Sequence, residues 1–191
     1  MLTSLLKGGL LGGITLFIWG AVSWTVLPWH DMTLNKFTNE DAVVAAITAN
    51  APAPGVYFLP NARHEPGMTA AEKEAAWKAM ENRMAQGPVL FASLRLKGAP
   101  SMLPYALTGI IISIIGATLG TLLLLQIRET AYLRRAGFLA LFGFTAGVVC
   151  FLPYWNWFDF SAAYTAVSIV DLVIGWFLTG LVIAKVAAPG K

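Results

Sequence analysis

Four stretches of at least 20 residues in this chain carry almost no charge. Gly8 to Leu27, Met102 to Ile127 and Ala136 to Phe158 carry none, and Phe160 to Ala184 carries only Asp171. Each is about as long as the roughly 20 residues needed to cross a hydrocarbon core about 30 Å thick. Lipid offers no partner to a backbone N–H or C=O, so a crossing segment must satisfy its own and therefore be a helix. The sequence predicts a membrane all-α fold: a four-helix transmembrane bundle, with a small α/β extracytoplasmic domain inserted between helices 1 and 2. Residues 1–28 form the first transmembrane helix and 29–101 the outer domain. Residues 102–191 form helices 2–4, with a cytoplasmic loop at 128–135 and an outer aromatic turn at 153–160. Charged residues make up 12% of the chain, about half the usual share of a soluble domain.

Charge placement orients the spans. The segment from Pro28 to Ser101 holds seven basic and seven acidic residues and is neutral. The basic excess lies beside the apolar runs, at Lys7, Arg128, Arg134, Arg135, Lys185 and Lys191. The short turn at 153–160 has no Lys or Arg. The positive-inside rule then puts both termini and the 128–135 loop in the cytoplasm and the 29–101 segment outside, as in a multi-pass protein of a bacterial-type inner membrane. Basic residues that flank spans do not form the patch on a soluble face that nucleic acid requires. Lys7, the apolar run and Ala21-Val22-Ser23 look like a signal peptide with a weak cleavage site. The run continues through Trp24 to Leu27, which reads as an uncleaved helix.

The only cysteine is Cys150, inside the third run. One cysteine makes no intrachain disulfide and no cysteine metal cluster. Four spans with a large first outer loop are similar to the claudin layout. That family's outer-loop cysteine pair is missing here, so the resemblance is one of topology, and it implies no residue roles.

The outer segment reads as helix–strand–helix–strand. Thr38 is placed to cap a helix through about Ala49, with Asp41 three positions on as a variant capping box. Val56 to Leu59 is a short strand. Thr69 and Glu72 form a second capping box for a helix reaching Gln86, with Trp77, Met80 and Met84 on one face. Val89 to Leu96 alternates as a second strand. A helix between two strands permits parallel pairing through a right-handed crossover. Two strands are marginal alone, so the domain is expected to lean on the membrane or on a partner.

Asp171 is the conspicuous residue. A carboxyl near the middle of a span costs roughly 2.5–3.5 kcal/mol on insertion scales, so it needs a partner or a purpose. Tyr164, Ser168, Asp171 and Gly175 share one helical face. Thr15 and Trp19 of the first helix, Ser113 of the second and Thr145 of the third fall at matching depth. No Lys or Arg does. Asp171 is thus expected to be neutral, or capped by hydroxyls and an indole N–H. It acts as a polar lock in the bundle; the alternative is a proton, cation or substrate site.

Outside the bilayer, His30, Asp31, His64, Glu65 and Asp159 are the weaker candidates for metal or acid–base chemistry. Their spacing fits no ligand motif, and they read first as solvated interfacial residues, with His30 at headgroup level. The aromatic turn, Trp24 and Trp29 form an interfacial belt. Gly8/Gly12, Gly9/Gly13, Gly116/Gly120 and Gly143/Gly147 have small-xxx-small spacing, for close helix approach or for contact with another copy.

No catalytic signature, metal centre or cofactor motif emerges. The sequence reads as a non-enzymatic accessory, assembly or sensory subunit of a larger membrane complex. Its partners are the lipid bilayer and other membrane proteins or a homo-oligomer, not nucleic acid. A small proton- or cation-coupled transporter using Asp171 is the second reading, and an interfacial metal-dependent enzyme the third.

Overall fold

The computed structural model describes residues 1–62 and 65–187. It is mostly helical: α1 (Leu2–Thr25), a 3-10 turn (Asp31–Thr33), α2 (Glu40–Asn50), β1 (Gly55–Leu59), α3 (Ala70–Gln86), β2 (Leu90–Leu94), α4 (Met102–Gln126), α5 (Tyr132–Phe158) and α6 (Ala162–Val186). Four helices, α1, α4, α5 and α6, are long and apolar enough to cross a membrane, as in a multi-pass membrane protein. The chain divides into two compact units, Met1–Asn35 with Pro100–Lys191, and Lys36–Ala99.

In the first unit neighbouring helices run antiparallel, and glycines set their spacing. Gly8 and Gly9 of α1 lie against Thr121 and Thr118 of α4, and Gly13 against the backbone of Ile114. Gly12 faces Ala117 of α4 and Ile183 of α6. The Trp176 indole of α6 fills a notch cut by Gly120 of α4 and Gly143 of α5, and meets Phe142 edge-on at 4.8 Å. Trp176 joins Ala117, Leu124, Leu139, Ile183, Ala184 and Ala187 in one buried cluster. Ala136 backbone abuts Gly180, and Ile169 abuts Gly147. Without a hydrophobic drive between helices in lipid, this close van der Waals packing is what holds them together. The small-residue stripes are thus used within the chain.

Two boundaries differ from the sequence reading. The aromatic segment expected as a turn at 153–160 is the last part of α5, with Pro153 inside the helix and the end at Asp159 in the left-handed region (φ 54°). Preceding carbonyls in a membrane helix can be satisfied by neighbours, which tolerates an internal proline. The 128–135 loop is likewise shorter, because Arg134 and Arg135 lie in the first turns of α5.

In the second unit the cap of α2 is Asn39, not Thr38: the Asn39 side-chain oxygen accepts the Ala42 N–H at 2.9 Å. Asn is among the strongest N-caps, and it outcompetes Thr one residue earlier. The α3 capping box forms as expected, with Thr69 and Glu72 exchanging bonds. The strands pair antiparallel, Gly55 with Leu94 through Leu59 with Leu90, which corrects the parallel expectation. β1 ends at Leu59 and β2 begins at its partner Leu90, so the chain between them, which includes α3, returns to the same end of the pair. The connection is therefore a long hairpin, not a crossover. Little is buried in this unit. Met80 is the only buried residue of α3, α2 has none, and Ala51 adds a second buried apolar side chain.

Candidate functional site

The site grows from the sharp end of α1. Pro28 comes three residues after Thr25, the last of the helix, and the chain folds back on itself, with the Met32 N–H bonded to the Pro28 carbonyl at 3.0 Å. This turn swings His30 back against the last turns of α1. The imidazole is 2% exposed. It stacks on Trp24 with ring centroids 3.8 Å apart and 8° between planes, and Trp29 meets it edge-on. The Trp29 indole N–H donates to the Ser23 carbonyl at 3.1 Å and to the Ser23 hydroxyl at 3.0 Å. The Ser23 hydroxyl in turn lies 3.1 Å from His30 Nε2.

Asp171 reaches this cluster from the tenth position of α6. Its Oδ1 accepts the Trp19 indole N–H at 2.7 Å, and its backbone carbonyl lies 3.1 Å from the same nitrogen. Its Oδ2 is 3.4 Å from His30 Nε2. One turn further on, Gly175 makes room for the Trp19 ring, since a Cβ there would sit 2.7 Å from it. Asp171 and Gly175 are four residues apart and share a face. Together they make a socket: glycine admits the indole and the carboxyl grips its N–H. The Asp171 side chain is 16% exposed. Both carboxyl oxygens are engaged within the chain.

The Nε2–H tautomer of His30 serves Ser23 and Asp171 with a single proton, because both acceptors face the same nitrogen. His30 Nδ1 is buried without a partner among the described residues. A serine hydrolase arrangement needs Ser and Asp on opposite ring nitrogens, so this geometry does not build a nucleophile.

The other expected members of the polar face turn elsewhere. Thr15 donates to Leu11, Ser113 to Gly109, Thr145 to Leu141 and Ser168 to Tyr164, each to the carbonyl four residues back in its own helix. That carbonyl is always within reach of a helical hydroxyl, whereas a neighbouring helix rarely is. Tyr164 packs its ring beside Phe160 at 5.6 Å. Of the intramembrane set, the structure brings only Trp19 to Asp171.

His30 belongs to the Asp171 cluster and is buried. Asp31 is exposed at the start of the 3-10 turn, and Asp159 is exposed at the end of α5. Glu65 is exposed, and His64 lies outside the described residues. Among the described residues no three His, Cys, Asp or Glu side chains converge as metal ligands.

His30 was the member the sequence hid. Periodicity stops at Pro28, and nothing in the spacing shows a turn that brings residue 30 back over residue 23. Arg135 was hidden too. It is 2% exposed, and its Nη1 donates to the carbonyls of Ala184 at 3.0 Å and Ala187 at 2.9 Å. It thereby caps the end of α6, where a positive charge is favoured by the helix dipole. The chain matches no family model, no curated protein and no solved structure.

Proposed function

We propose that the chain is a polytopic inner-membrane protein that works as a non-enzymatic accessory, assembly or sensory subunit of a larger membrane complex. In this reading α1, α4, α5 and α6 form a four-helix transmembrane bundle with cytoplasmic termini, and residues 29–101 are an extracytoplasmic docking domain. The observation that carries the proposal is the surface of the second unit. A unit of this size normally buries a core in proportion to its length, yet Val44 is 61% exposed and Trp77 51% exposed. The α3 stripe of Trp77, Met80 and Met84 is buried only at Met80. Apolar side chains left outward on a marginal domain mark an interaction face.

Asp171 fits the same reading as a polar lock. Its carboxyl oxygens are spent on Trp19 and His30, holding the outer end of α1 to α6. Extraction in mild detergent followed by intact-mass measurement tests the proposal. A second protein, or a second copy, is expected with the chain, and a stable lone monomer counts against it.

A second reading, a small proton- or cation-coupled transporter, draws on the His30–Asp171 pair, because an acid inside a span facing a second titratable group is the kind of pair that carries protons. Proton or cation flux that survives Asp171→Asn removes it.

A further inference from the structure

Arg135 has one edge in use and one edge empty. Its Nη1 is tied to the Ala184 and Ala187 carbonyls, which fixes the plane of the guanidinium. Its Nε and Nη2 are buried without a hydrogen-bond partner among the described residues. These two nitrogens form the side of the guanidinium that carries two parallel N–H groups, the fork that grips a carboxylate or phosphate with two bonds. No carboxylate of a described residue pairs with Arg135; the nearby Glu129 is taken by Arg134 at 3.0 Å and by the Ala131 N–H at 2.7 Å. A buried guanidinium with vacant donors is costly, and the carbonyls at the end of α6 offset only part of its charge.

The surroundings select the ligand. Arg135 is in the first turns of α5, a helix long and apolar enough to cross a membrane, so it lies near the level where lipid phosphates begin. Lys7, Arg128, Arg134 and Lys185 belong to the same end of the helices, against Glu129 as the one acidic side chain there among the described residues. Basic side chains gathered at the helix ends at that level suit an acidic headgroup. We propose that the Nε/Nη2 edge of Arg135 is a seat for a phosphate group, supplied by an anionic phospholipid. Helix ends open locally at little cost, which admits a headgroup to the seam between the start of α5 and the end of α6.

The test uses the full chain in detergent and three probes: phosphatidylglycerol, diacylglycerol with the same acyl chains, and inorganic phosphate. Native mass spectrometry reads retention, and thermal unfolding reads stabilisation. Phosphatidylglycerol should be retained at one per chain and raise the melting temperature, and diacylglycerol should do neither. Arg135→Lys keeps the charge but cannot make two parallel bonds, and should weaken phosphatidylglycerol retention about 10-fold. Stabilisation by inorganic phosphate alone, lost in Arg135→Lys, would support the seat but assign its occupant to a free anion. Diacylglycerol acting as well as phosphatidylglycerol overturns the proposal, as does equal retention by Arg135→Lys and wild type. The comparison of the two lipids on wild type decides the matter even if the variant does not fold.

Discussion

At the scale of single residues, the Asp171 clasp makes graded predictions. Asp171→Asn keeps the shape and an acceptor for Trp19, and is expected to be tolerated. Asp171→Leu removes the interhelical bonds and should cost about 0.6–2 kcal/mol, the range for such bonds in membranes. Asp171→Lys should be far worse, because a positive charge would meet His30 and no counter-ion. In a Trp19→Phe background, which keeps the ring over Gly175 but removes its N–H, the Asp171→Leu penalty should shrink. Thermal unfolding in detergent reads all four. Equal stability of the Leu and Lys variants would show that Asp171 faces water or another chain. Part of this clasp was legible in the sequence: a lone acid in a span demands a donor, and depth matching pointed to Trp19. The hydroxyls at the same depth were misleading, because matching depth ignores the carbonyl each hydroxyl already has one turn back. His30 was illegible, since a fold-back after Pro28 has no periodicity to read.

At the scale of elements, two predictions separate packing from capping. Gly13→Ala would put a Cβ 2.5 Å from the Ile114 Cα, whereas a Cβ at Gly20 meets nothing within 4 Å. Gly13→Ala should therefore force α1 from α4 and cost about 1–3 kcal/mol. Gly20→Ala should be neutral or stabilising by up to about 1 kcal/mol, from helix propensity alone. Unfolding midpoints of the two variants check the contrast.

The second prediction concerns the cap of α3. The Thr69 backbone N–H, and then its hydroxyl, hold the Glu72 carboxyl below its ordinary value of 4.5. A carboxyl lowered in the folded state stabilises above its unfolded value and loses that contribution as pH falls through the folded one. Helicity of α3 should thus fall on acidification below the ordinary glutamate range, and Glu72→Gln should flatten that dependence. The group is fully exposed, so the effect is small. Circular dichroism against pH reads it. The capping box could be read directly from four residues of sequence. The strand pairing could not, because parallel and antiparallel ladders share one hydrophobic pattern, and the direction is set by where the connection returns. The long α5 was similarly obscured by Pro153 and a dense aromatic run, which resemble an interfacial turn until neighbouring helices are in place.

At the scale of the whole molecule, the two units differ in how much they bury. The first packs its apolar surface against itself: glycine stripes take up Trp176, Thr118, Thr121 and Ile114, Asp171 is clasped from within, and Arg135 keeps donors free for a ligand. The second does not, with Ala51, Pro60 and Met80 as the buried apolar residues among those described and Trp77 outward. The contrast is what makes docking through residues 36–99 the central claim. The most direct measurement is the mass of the protein extracted from native membranes, for wild type and for a Trp77→Gln, Met84→Gln variant. The account predicts a defined heavier species for wild type and the bare chain for the variant, with α3 still helical in both. A wild-type chain that leaves the membrane as a stable lone monomer, or a variant that keeps the heavier species intact, would contradict it.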